Sequence, residues 1–218
     1  MSTATTVRKK TPFTPKRLIT AGLVLVLLVL MLLSTKIHTG DAAPAPGTFS
    51  PQSFAEEKFE SEIVPDIVGR ATDLVTVQEA NDPDPAAAAE QYGVVTGSSP
   101  AVYSVKLTGT AGEPQANGLM PVQVEGMPED IQVLVQMGPA INGTAVRDAT
   151  GQVQFSQFKN QIDFQDVGAE LNNQVKDKVL AGGDAASLAG KEVSVVGAFS
   201  IVNPAAYIIT PVQIEVAQ

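Results

Sequence analysis

The 218-residue sequence contains no cysteine and no tryptophan, and His38 is its single histidine. Without cysteine the chain has no disulfides, no thiolate metal ligands and no cysteine nucleophile. One histidine beside a long apolar run excludes histidine-based metal clusters and Ser-His-Asp catalysis from the rest of the chain. We therefore expect a protein that is not an enzyme and that binds no cofactor and no metal.

Basic residues are scarce over most of the chain and concentrated at its start. Residues 1–36 carry six basic residues and no acid, whereas residues 37–218 carry eight basic residues against 23 acids, a net charge of −15. Nucleic-acid affinity depends on Lys and Arg neutralising phosphates. The acidic body therefore predicts no nucleic-acid partner.

An uncharged apolar run, "LITAGLVLVLLVLMLLST", extends from Leu18 to Thr35. As a helix it would span about 27 Å, close to the thickness of a bilayer core. Five basic residues precede the run, so the positive-inside rule puts the tail, residues 1–17, in the cytoplasm. We predict an uncleaved single-pass transmembrane helix over 18–35 in the cell membrane, with an extracytoplasmic body.

A cleaved signal peptide is the alternative to this anchor. The small residues of "DAAPAPG" (Asp41–Gly47) suit a peptidase, but the apolar run is longer than an ordinary signal-peptide core. A lipid anchor would need a cysteine, which the sequence lacks.

Residues 36–52 are rich in proline and small residues and predict a linker, and residues 53–96 predict short helices. "SFAEEKFESEIV" puts Phe54, Phe59 and Ile63 on one helical face, and we expect Pro65 to kink or divide that helix. "NDPDPAAAAE" provides carboxylates that can cap the start of a helix. We expect the last of these short helices to end at Gly93. A calcium loop is the less favoured interpretation, because prolines stand where its pattern requires other residues.

Strand periodicity begins after Gly97, and residues 97–218 form the predicted second part of the body. "AVYSVKLTG", "LMPVQVEG" and "IQVLVQMG" precede a helix, and "KEVSVVGAFS" and "YIITPVQIEV" follow it. The helix should be capped by Asp163 or Asp166 and bury a stripe every four residues, at Val167, Leu171, Val175 and Val179. Three strands, a helix and two strands predict an α+β fold, an OB-like five-stranded Greek-key barrel with N-terminal helices. A small α+β sandwich remains the alternative.

One long motif carries a resemblance to a known family. "MGPAINGTAVRDATGQVQFSQFKNQIDFQDVGAELNNQV", with "LAGKEVSVVGAF" and "ITPVQIEV" after it, resembles a bacterial domain-of-unknown-function family of predicted periplasmic lipoproteins. The resemblance covers roughly residues 54–218. It implies an OB-like barrel, an extracytoplasmic location and association with simple-sugar ABC importers, and it assigns no catalytic residues. The missing cysteine departs from the family pattern and puts acylation in doubt.

The polar stretch from Gly143 to Phe164 supplies the candidate site residues, which are Arg147, Asp148, Phe158, Asn160 and Gln161. In one interpretation these side chains line a pocket for a sugar-like ligand, since arginine and amides suit hydroxyl groups. In the favoured interpretation Arg147, Asp148 and Asn160 satisfy one another and hold a long connection to the barrel. Phe155, Phe158, Ile162 and Phe164 would then be its apolar anchors.

Two function hypotheses follow from these observations. The first is a membrane-tethered accessory protein of a simple-sugar ABC importer, acting through protein contacts. The alternative is a binding module for a small polar ligand. An enzymatic function is disfavoured because the sequence has no convincing carboxylate pair. "DATG" (Asp148–Gly151) resembles an aspartic-protease loop only faintly and occurs once.

Overall fold

The computed structural model describes Val24 and residues 49–97, 99–181, 183 and 185–217. A group of helices begins at Pro51, and the barrel strands follow from Val102. The chain divides into two units, Met1–Pro46 and Gly47–Gln218. In the first unit only Val24 is described, in a helical conformation. The predicted tail, the rest of the membrane span and most of the linker lie outside the described residues. Within those that are described, no helix has the length and hydropathy to cross a membrane.

The first helical run is continuous and widens in its middle. Helix α1 (Pro51–Lys58) passes through a π-helical turn (Phe59–Ile63) into α2 (Val64–Arg70). Pro65, the residue expected to kink or divide the helix, lies in the first turn of α2, one residue after the π-helical turn gives way to α2 at Val64. The missing N–H of a proline is tolerated at such a position. The irregularity comes before it, where the Val64 N–H donates to the carbonyl of Phe59.

Two further helices are capped by aspartate side chains. Asp73 caps α3 (Leu74–Asn81), and Asp84 caps α4 (Pro85–Tyr92) by accepting from two backbone N–H groups. Gly93 ends α4 as predicted. Two short strands flank these helices, β1 (Thr72–Asp73) and β2 (Gly93–Val94), and both pair with the first barrel strand.

Five strands close into a barrel. They are β3 (Val102–Ala111), β4 (Leu119–Gln123), β5 (Gln132–Gln136), β6 (Glu192–Ser200) and β7 (Ala206–Val216). Their order is β3-β4-β5-β7-β6, and β6 returns to β3. β5 and β7 run parallel, and the other barrel pairs are antiparallel. The closed ring confirms the predicted barrel over the sandwich.

The barrel interior is filled by alternate residues of each strand, because successive strand side chains point to opposite faces. Tyr103 and Val105 of β3 pack inside with Phe199 of β6 and Tyr207 of β7. Leu74 and Val77 of α3 join this core. The buried Tyr207 hydroxyl donates to the Gln78 side-chain oxygen of the same helix, and burial raises the pKa of Tyr207.

The connection after β5 leads to the longest helix through two short helical turns. These are α5 (Ala145–Asp148) and a 3-10 turn (Phe155–Gln157), followed by α6 (Gln161–Gln174) and a π-helical turn (Val175–Leu180). The prediction that Asp163 or Asp166 caps this helix is wrong. Asn160 has the extended backbone of a cap, and its side-chain oxygen accepts from the Asp163 N–H at 2.9 Å.

A second apolar core lies on the outer face of the barrel. Of the stripe predicted at Val167, Leu171, Val175 and Val179, Val179 is only half-buried, in the π-helical turn. Val167, Leu171 and Val175 are buried. They belong to one cluster with residues of the first helical run and with outward residues of three strands, namely Ala55, Phe59, Ile63, Ile67, Val102, Ala198 and Val212. The helix between strands three and four of the barrel therefore packs beside the barrel wall.

Candidate functional site

Gln136 ties the start of the long connection to the barrel. Its side-chain amide nitrogen donates to the Thr210 hydroxyl at 2.7 Å and to the Asn142 carbonyl at 2.9 Å. Its side-chain oxygen accepts from the Asn142 N–H at 2.8 Å. Gln136 and Thr210 are buried and have the outward parity of their strands, since Val135 and Ile209 belong to the interior core. One side chain thus satisfies two backbone groups of the connection.

Arg147 and Asp148 form an ion pair at the centre of the polar stretch. Arg147 Nε donates to Asp148 Oδ1 at 2.7 Å, and Nη2 donates to Oδ2 at 3.0 Å. Arg147 Nη1 donates to the Phe164 carbonyl at 3.2 Å, and the guanidinium carbon lies 3.8 Å from the centre of the Phe164 ring. Thr144 Oγ1 donates to Asp148 Oδ2 at 2.7 Å. Because Arg147 is only 7% exposed, the pair neutralises a charge that would otherwise be buried alone.

The remaining candidate residues do not join this ion pair. Asn160 is exposed, and its side-chain amide nitrogen donates to Asp163 Oδ2 at 3.1 Å. Gln161 is exposed at the start of α6. The predicted network of Arg147, Asp148 and Asn160 is therefore split into an ion pair and a separate helix cap.

The aromatic residues of the stretch lie in a cluster near the start of the described body. The Phe158 ring centre is 5.2 Å from that of Phe49, 5.8 Å from Phe54 and 5.5 Å from Phe164. Phe158 and Phe164 thus serve as anchors. The prediction that Ile162 is also an apolar anchor is wrong, because this side chain is 67% exposed. Phe155 contributes little as an anchor, since it is 50% exposed and its ring pairs only with that of Phe164 among the described rings.

Sequence reasoning missed three residues that hold the connection, Gln136, Thr210 and Asn172. The Asn172 amide nitrogen donates to the Gly143 carbonyl at 2.8 Å. Gln136 and Thr210 occupy outward strand positions, which ordinarily face solvent, so strand alternation does not single them out as buried. The available signal was the length of the connection, whose backbone groups need partners.

A cleft of about 670 Å³ opens between this connection and the outer face of the barrel. Its charged lining residues are Arg147 and Asp148. Its other lining residues are small, apolar or uncharged polar, and they come from the strand ends, three loops and the connection: Ser99, Pro100, Val102, Asn117, Leu119, Gln136, Asn142, Gly143, Thr144, Ala145, Ser200, Val202, Asn203, Ala206, Ile208 and Thr210. A neighbouring hollow of about 70 Å³ shares Arg147 and Asp148.

The side chains that line this cleft can form hydrogen bonds with a ligand. Asp148 is the one carboxylate lining it among the described residues, and it is already paired. Over the same described ranges, no group of three or more acidic or histidine side chains could hold a metal ion. Amide and hydroxyl groups that both donate and accept hydrogen bonds line the cleft together with apolar side chains.

Comparison with known proteins bears on both the fold and the family. No curated protein matches the chain. The crystal structure of an OB-fold protein from Thermotoga maritima matches with a TM-score of 0.61 and 24% sequence identity, over 78% of this chain and 99% of that chain. At this identity the likeness establishes the OB fold of the barrel. The family model described as "Predicted periplasmic lipoprotein (DUF2291)" matches residues 23–215. The chain therefore belongs to this family of predicted periplasmic lipoproteins, as the long motif around Arg147 indicates.

Proposed function

We propose that the protein is a membrane-tethered extracytoplasmic accessory protein that assists a simple-sugar ABC importer through protein contacts and catalyses no reaction. The observation that carries the tether is the charge split, with six basic residues and no acid in residues 1–36 and a net charge of −15 beyond them. The family description agrees with a location outside the cytoplasm and at a membrane.

The proposed anchor is the uncharged run from Leu18 to Thr35, which takes the place of a lipid on cysteine. The sequence has no cysteine to acylate, yet its family is described as lipoproteins. An apolar helix of this length anchors a protein more firmly than a single acyl chain does. The tether thus keeps the family's membrane association by other chemistry.

Protease treatment of intact spheroplasts tests the topology. We expect added protease to degrade the body, and we expect the mature chain to begin near Met1. The matched variant replaces the five basic residues before the apolar run with glutamine, namely Arg8, Lys9, Lys10, Lys16 and Arg17. This variant should lose its fixed orientation, because the basic excess sets it. A mature N-terminus near Pro44 would instead identify a cleaved signal peptide.

The importer contact rests on the resemblance given by the long motif. Crosslinking in intact cells, followed by purification of the full-length chain from membranes, tests it. We expect the membrane subunits or the binding protein of a sugar importer among the crosslinked partners. An unrelated single-pass protein with an acidic body, expressed at the same level, controls for crowding. Equal recovery of importer components with both proteins would contradict the proposal.

A further inference from the structure

We propose that the cleft between residues 142–148 and the outer barrel face binds a small uncharged molecule rich in hydroxyl groups. This goes beyond the accessory role and is independent of it, because it needs neither the tether nor a protein partner. The volume of about 670 Å³ falls within the range of small-ligand sites, about 300–1,000 Å³.

The Arg147–Asp148 pair sets the kind of group that fits beside it. Arginine has five N–H donors, and Arg147 uses three of them, two on Asp148 and one on the Phe164 carbonyl. Asp148 accepts from Arg147 twice and from Thr144 once, which leaves about one of its roughly four acceptor positions. A group that meets both residues must accept from one and donate to the other. A hydroxyl group does both.

The charge balance of the cleft favours an uncharged ligand. Its two charged lining residues already neutralise each other. An anion would also meet a body of net charge −15. A cation would find no unpaired carboxylate among the described lining residues. Burying either kind of ion here would leave its charge uncompensated, which is costly.

The other walls of the cleft are complementary to the two kinds of surface of a polyhydroxylated ring, its hydroxyl edge and its apolar C–H face. Asn142 is exposed at the rim, and its described hydrogen bonds are made by its backbone, so its side-chain amide is available to a ligand. Leu119 and Ile208 provide an apolar strip, with Ile208 43% exposed. Amides match hydroxyl edges and apolar side chains match C–H faces.

The position of the cleft on the barrel is a further observation that agrees with ligand binding. Leu119 and Gln136 come from the second and third barrel strands, Asn117 comes from the loop before β4, and Val202 from the loop between β6 and β7. This combination of strands and loops is the region through which OB folds bind ligands. Fold alone does not assign a function, so the proposal rests on the donors, acceptors and charge balance described above.

The test uses the full-length chain in detergent micelles and a panel of neutral pentoses, hexoses and cyclitols. Saturation-transfer NMR detects binding, and calorimetry measures Kd for any member that binds. The phosphorylated and carboxylate forms of the same compounds are the matched ligands. We expect at least one neutral member to bind saturably and its anionic forms to bind at least tenfold more weakly. Binding of no member, or equal binding of the anionic forms, would overturn the proposal.

Two variants locate the site. Asn142→Ala should weaken binding about three- to tenfold, because it removes hydrogen bonds to the ligand. Ile208→Asp should weaken binding more than tenfold, because it puts a carboxylate on the apolar strip. Ile162→Asp is the control, since this isoleucine is also exposed and lies outside the cleft lining. Urea unfolding of all three checks that they fold. Equal Kd values for the Ile208 and Ile162 variants would refute the site even if a sugar binds.

Discussion

The long connection between β5 and α6 is held by polar contacts in its first part and by rings in its second. Residues 136–148 are tied by Gln136 and by the Arg147–Asp148 pair. In residues 155–164, by contrast, Phe158 packs against Phe49 and Phe54, and Phe164 packs against Phe158. A buried polar contact that loses one partner leaves the other unsatisfied. A half-buried ring that is removed loses its own contacts alone. The two parts should therefore respond differently to single substitutions.

Arg147→Ala should have the largest effect on stability. It leaves the Asp148 carboxylate in a mostly buried position with Thr144 as its described donor. We expect the free energy of unfolding to fall by about 3 kcal/mol, the usual result of breaking a buried pair. Urea unfolding of the chain in micelles measures this fall. Lys178→Ala is the control, since Lys178 is exposed and lies 3.8 Å from Glu60, and it should change stability by less than about 0.5 kcal/mol. An unchanged stability for Arg147→Ala would show that the pair is not a structural lock.

Gln136→Ala should be the next most damaging change. It leaves the Asn142 N–H and carbonyl and the Thr210 hydroxyl without their Gln136 partner. We expect the free energy of unfolding to fall by about 1–3 kcal/mol. Gln132→Ala, on the exposed end of the same strand, is the matched control and should stay within about 0.5 kcal/mol. If both variants unfold at the same urea concentration, the connection does not depend on Gln136.

Phe158→Ala tests the aromatic part of the connection. Truncating a fully buried phenylalanine to alanine lowers the free energy of unfolding by about 3–5 kcal/mol. Because Phe158 is only half-buried, we expect a fall of about 1–2 kcal/mol. Phe155→Ala should cost less, since its ring is 50% exposed and contacts Phe164 alone among the ring pairs described. A larger loss at Phe155 than at Phe158 would reverse the assignment of the anchor.

Asn160→Ala should have the smallest effect of the four, about 1 kcal/mol, from loss of the α6 cap. The double variant Arg147→Ala/Asn160→Ala sharpens the comparison. Because the cap and the ion pair share no described partner, their effects should add to within about 0.5 kcal/mol. A coupling larger than this would restore the single network predicted from the sequence.

The strand and helix periods predicted the elements of the barrel, and the order of these elements favoured the barrel over the sandwich. The alternation in β3 and β5 and the four-residue spacing of Val167, Leu171 and Val175 appear in the structure as an interior core and a buried helix face. These patterns are local, since each depends only on the period of its own element. The helix start was placed too late because three residues near it can cap, and only the backbone geometry selects Asn160.

Composition alone determined which chemistry the chain lacks, through the missing cysteine and the single histidine, and charge alone separated a basic start from an acidic body. Tertiary structure decided which polar residues hold the connection and where the cleft opens. Gln136 and Thr210 are 74 positions apart in the sequence, and Arg147 reaches the Phe164 carbonyl across 17. Partners so distant are brought together only when the strands pair and α6 packs, because no period within one element relates them.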